Sequence, residues 1–76
     1  MRRFHEEVVR RRAKAVVLRE QGNSLSSIAR QLGYSDHSGI RSLLAAHEYE
    51  FHASAVYRKA ILEERYKLGR NSVETR

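Results

Sequence analysis

Between Ser24 and Leu44 the chain reads SLSSIARQLGYSDHSGIRSLL. Leu25, Ile28, Ala29 and Leu32 recur at i, i+3, i+4 and i+7, the spacing of one helix face. Ser24 stands where a side-chain oxygen can accept from a backbone N–H two or three residues on, and so cap that helix. Gly33 follows Leu32 at once, where a reversing chain adopts positive φ at least cost. Tyr34 can pack its ring under the turn. Ser35 is placed to cap a second helix whose apolar face is Ile40, Leu43 and Leu44. Ala29 is small where the two helices would cross closely. Two helices joined by a three- or four-residue turn containing glycine have the sequence form of a DNA-binding helix-turn-helix. An ordinary helical hairpin in a small bundle has the same spacing.

Within this stretch SIARQLGYSDHS resembles the second helix-turn-helix of the AraC-type transcription regulators. Ile28-Ala29 matches that family's apolar-Ala pair, Leu32-Gly33-Tyr34 its Leu-Gly-aromatic corner, and Ser35-Asp36-His37-Ser38 its polar run. The upstream segment RRRAKAVVLREQGNSL is similar to the helix that precedes the motif, so the likeness covers Arg11 to Ala46. The chain departs from the family at Gly39, Ile40 and Leu43, where aromatics are usual, and it has no Pro for the Gly-x-Ser-Pro segment. It also holds one such motif rather than two. The resemblance therefore implies the motif and its DNA role, not the family's architecture or any effector binding.

Seventy-six residues allow one domain. A chain of this size buries only roughly 60% of its unfolded surface, so its core is small. Without Cys, neither a disulfide nor a thiolate zinc site can reinforce it. Association between chains is another common support for small scaffolds. No secretory signal is read at the start, and the longest apolar run, Ala15 to Leu18, is far short of a membrane span. Fifteen Lys and Arg against nine Asp and Glu give a net charge of +6. The pI near 10.3 fits a nucleic-acid-binding surface or, more plainly, a solvated basic face. Seven bases against three acids put most of the excess in Met1 to Gln21.

Phe4 to Gln21 reads as the first helix, with Phe4, Val8 and Ala15 on one side and Val9, Ala13, Val16 and Val17 beside it. Gly22 and Asn23 end it. Arg10, Arg11, Arg12 and Lys14 cover the rest and are candidates for DNA phosphates, with Ser26, Gln31 and Ser35. Residues 36 to 46 are the proposed recognition helix. With Ile40, Leu43 and Leu44 inward, His37, Ser38, Arg41, Ser42 and Ala45 turn outward. His37, Ser38, Arg41 and Ser42 are the candidate base contacts, Arg41 being suited to bidentate contact with guanine. Gly39 admits two readings, close approach to DNA or another helix, and tolerated drift. Asp36 either reads a cytosine amino group or sits as a favourable charge at the helix start.

HEYEFH, residues 47–52, is either a short extended linker or a helical continuation with Tyr49 and Phe51 in the core. His47 and His52 are five apart, which fits surface or core-edge histidines better than a zinc pair. From Ala53 to Leu68 a last helix is expected, capped by Ser54 and closed by Gly69. Its stripe of Val56, Tyr57, Ala60, Ile61 and Leu68 is assigned to a dimer interface, with folding back on the first helix as the alternative. The expectation is thus an all-α chain of about four helices, a trihelical helix-turn-helix at 1–47, a C-terminal dimerisation helix at 48–69 and a disordered tail at 70–76. Its expected role is that of a homodimeric, cytoplasmic, nucleoid-associated repressor of phage or plasmid type on a palindromic DNA operator. No enzyme activity, metal, cofactor, small-molecule ligand or membrane is called for. A helical interaction module of antitoxin or adaptor type, or a nonspecific architectural DNA binder, is the alternative.

Overall fold

A computed structural model describes the backbone of residues 2–74 and the side chains of residues 6–68. All of its regular structure is helical, in the order α1 (Arg2–Glu20), α2 (Leu25–Leu32), α3 (Ser38–Ala45), α4 (His47–Ala53) and α5 (Ala55–Glu74). The fifth helix, beyond the four expected, is HEYEFH, which continues helically after the single residue Ala46 instead of extending. The helix expected to close at Gly69 runs on to Glu74. One glycine inside a helix costs only about 1 kcal/mol relative to Ala, which is too little to force a stop. Of the tail expected at 70–76, residues 75 and 76 lie outside the described residues, as does the Phe4 side chain.

The helix ends follow local chemistry. Gly22 takes φ 97° after α1, with its N–H bonded to the Arg19 carbonyl and the Asn23 N–H to the Leu18 carbonyl. Gly33 repeats this after α2 at φ 83°, with Tyr34 N–H reaching the Ala29 carbonyl at 2.8 Å. Both are left-handed closures in which the last two donors fold back on orphan carbonyls. Ser24 Oγ accepts from Ser27 N–H at 3.1 Å and starts α2. Ser54 Oγ accepts from Tyr57 N–H at 3.1 Å and starts α5.

Central to the packing is α1, because it carries two apolar stripes. Ala15 and Leu18 pack with Ile28, Ala29, Ile40 and Leu43, joining α1 to α2 and α3. Val9, Ala13 and Val16 pack with Tyr57 and Ile61, joining α1 to α5. Leu44 touches both groups. Truncating a buried Ile to Ala costs about 2–5 kcal/mol. That is a large share of the roughly 4–11 kcal/mol expected of a chain this long.

The second stripe on α1 overturns the assignment of the α5 stripe to a dimer contact. Tyr57 and Ile61 are fully buried within one chain, Ala60 is partly buried against the same cluster, and Leu68 is partly buried against the cluster that joins α1 to α2 and α3. Val56 alone of the five is exposed. The helix folds back because Val9, Ala13 and Val16 would otherwise be bare to water. At the end of α1, Arg65 grips Glu20 through two bonds of 3.1 and 2.9 Å. These bonds hold the Glu20 carboxyl below its usual range.

Candidate nucleic-acid interface

The inner face of α3 is anchored by Ile40, which is fully buried, and by Leu43, with Leu44 partly covered. The 3.6-residue period then sets the other side outward. His37, Ser38, Arg41, Ser42 and Ala45 are all exposed, as their spacing predicts. Arg41 makes no side-chain hydrogen bond or ion pair among the described residues, so its five N–H donors face solvent.

The start of α3 differs from expectation. Five residues, Gly33 to His37, separate the two helices, and Ser35 does not cap the second. His37 stands at the N-cap without a side-chain cap bond, and Asp36, one residue earlier, holds the turn that leads into α3. Its Oδ1 accepts from Ser38 N–H at 2.9 Å and from Ser38 Oγ at 2.7 Å. A short carboxylate reaches the N–H two residues on and competes with any helix begun earlier. The Ser38 hydroxyl bond, then its N–H bond, hold the Asp36 carboxyl below its usual range. Asp36 stands two residues ahead of Ser38, the first helical residue, and not within the first turn of α3, so its charge acts on the helix start through these bonds to Ser38.

At Gly39 the close approach is made by the Tyr34 ring of the turn, not by another helix. A Cβ built on this glycine would lie 2.6 Å from Cδ2 and 2.7 Å from Cε2 of Tyr34. The ring that packs under the turn therefore also needs a bare backbone on α3. Arg11 approaches the same ring, its guanidinium carbon 6.0 Å from the centroid. Tyr34 thus joins α1, the turn and the start of α3.

The seven candidate phosphate contacts separate into groups. Ser26, Ser35 and His37 line one cleft with Ala29, Tyr34, Asp36 and Arg30. Arg11 lies over the Tyr34 ring at the edge of this cleft, with its guanidinium also 3.9 Å from the Glu7 carboxylate. Arg10 and Lys14 line a different groove between α1 and α5, where Glu7 and Glu64 face them and Arg11 forms part of the wall. Arg12 is withdrawn from the set. Its Nε donates to the Leu43 carbonyl at 3.0 Å, and its guanidinium carbon lies 6.0 Å from the Tyr57 ring centroid. The Leu43 carbonyl belongs to the last turn of α3, whose acceptors lack helical partners and attract a cation. Gln31 is also engaged within the fold, its Nε2 donating to Ser27 Oγ at 3.1 Å and Asn23 Oδ1 at 3.3 Å. Arg30, which is not among the seven candidates, lines the same cleft one turn after Ser26, on the side of α2 opposite its apolar face.

Comparison with known protein families, curated proteins and solved structures finds no match to this chain. Among the described residues no helix is long and apolar enough to cross a membrane.

Proposed function

We propose that the chain is a sequence-specific double-stranded-DNA-binding transcriptional regulator that reads the major groove with α3. The observation that carries this reading is one helix face. Arg41 projects to solvent beside His37, Ser38 and Ser42, while Ile40 and Leu43 on the opposite face anchor α3 to α1 and α2. Arginine presents a planar fork that matches guanine O6 and N7, and short polar neighbours let the helix sit deep in the groove. Near the helix start His37 adjoins the cleft holding Ser26, Arg30 and Ser35. Base contacts and phosphate contacts would then share one surface, as docking on a duplex requires.

In this reading the protein acts as a homodimeric repressor of phage or plasmid type, at the nucleoid in the cytoplasm, on a palindromic operator. Selection of bound sites from a random DNA pool tests it. A palindromic consensus with half-sites about 10 base pairs apart is expected. Arg41→Ala should abolish the preference for the selected site and leave salt-sensitive binding to random DNA in place. A pool that yields no consensus at any salt concentration overturns sequence-specific reading.

A further inference from the structure

Three of the four large apolar side chains exposed among the described residues belong to α5: Val56 at 61%, Leu62 at 62% and Tyr66 at 68%. With 3.6 residues per turn they lie away from the Tyr57, Ile61 and Leu68 stripe that faces the core. Lys59 and Glu63 fall between them on the same outward side. The other described charges of α5 are engaged: Arg65 with Glu20, Lys67 with Glu64, and Arg58 with the carbonyls of Phe51 and His52. Lys59 and Glu63 have no ion-pair or hydrogen-bond partner for their side chains among the described residues.

These positions share a symmetry. Lys59 and Glu63 stand two residues either side of residue 61, and Val56 and Tyr66 stand five either side of it. An antiparallel copy of α5, related by a two-fold axis level with residue 61, would bring like distances together. Lys59 would then meet Glu63 of the partner subunit, and Glu63 the partner subunit's Lys59. Val56 would meet Tyr66 of the partner subunit, again twice. Leu62 would lie beside the axis, where the copies approach most closely. A two-fold interface must be complementary to itself, and this stripe satisfies that in both charge and apolar character.

We infer that the outward face of α5 pairs with a second copy of this chain, antiparallel, in the register that sets Lys59 against the partner subunit's Glu63. The inference rests on the dimeric part of the proposed function and gives it a surface. The face is narrow, so association belongs with the weak interfaces and is reinforced when two copies bind one DNA.

Sedimentation of the full chain without DNA tests it, with circular dichroism checking that each variant is folded. Wild type should reach a dimer in the micromolar range. Lys59→Glu alone and Glu63→Lys alone each oppose like charges twice and should weaken self-association at least about tenfold. Mixing the two variants in equal amounts restores both opposite-charge pairs and should yield a heterodimer. The double variant K59E/E63K should self-associate like wild type. A wild-type monomer at millimolar concentration, which would leave the stripe to a different protein, overturns the inference. So does a dimer indifferent to all of these charge changes. Since DNA is absent, either failure is read separately from the Arg41 result.

Discussion

At Gly39 the side chain is absent because Tyr34 occupies its place, with ring atoms 2.6 and 2.7 Å from where a Cβ would sit. The residue lies inside an eight-residue helix, where alanine is ordinarily better by about 1 kcal/mol. That gain should not be recovered in the wild-type protein. Forcing the ring aside costs about 1–3 kcal/mol by overpacking, so Gly39→Ala should be destabilising in urea denaturation. In a Tyr34→Ala background the same substitution meets no ring and should stabilise by about 1 kcal/mol. Equal effects in both backgrounds would show that ring and glycine are not coupled.

Between elements the firmest joint is α1 against α5, and Tyr57 is its centre. The ring is fully buried, and its hydroxyl shares a 2.7 Å hydrogen bond with His47 Nδ1. Burial lifts the phenol from its ordinary 10.0 to about 12. The folded protein therefore holds that proton more tightly than the unfolded chain does, and stability falls where only the unfolded chain has lost it. This contribution is complete below pH 10 and declines as pH rises from 10 toward 12. Tyr57→Phe should cost about 1 kcal/mol at neutral pH through the lost hydrogen bond. It should also flatten the alkaline decline measured by denaturation across that window. An unaltered decline would assign the titration to another group.

Across the whole molecule, the position of each positive charge matters more than the total of +6. Arg30, Arg41 and His37 gather around the turn and α3, whereas Arg10, Arg11 and Lys14 stand in a groove with Glu7 and Glu64, Arg11 lying 3.9 Å from the Glu7 carboxylate. Cations facing carboxylates displace fewer counterions from DNA than cations facing solvent. Arg30→Ala should lower the salt dependence of binding by roughly one unit of slope. Arg10→Ala, Arg11→Ala and Lys14→Ala should change it much less. Equal flattening by all four would place the duplex against α1 and not against the turn.

Periodicity and several caps, which depend on residues within about four positions, were legible in the chain alone, although Ser35 does not cap α3 and Gly69 does not close α5. Ser24 and Ser54 cap, Gly33 turns, and the inward and outward residues of α3 divide as their spacing requires. Contacts between residues distant in sequence were not legible. An apolar stripe such as Tyr57 and Ile61 announces that it must be covered but does not name the cover. Only packing showed that Val9, Ala13 and Val16 supply it. The same holds for Arg12, whose bond to Leu43 spans 31 residues and removes a basic side chain from the surface where its neighbours remain. The sequence by itself thus determined the three helices of the first 47 residues, most of α5 and which way α3 faces, since backbone geometry ties these to local spacing. Tertiary structure decided which charges are engaged within the fold and which apolar face stays exposed, because burial is settled jointly by every element that competes for the same core.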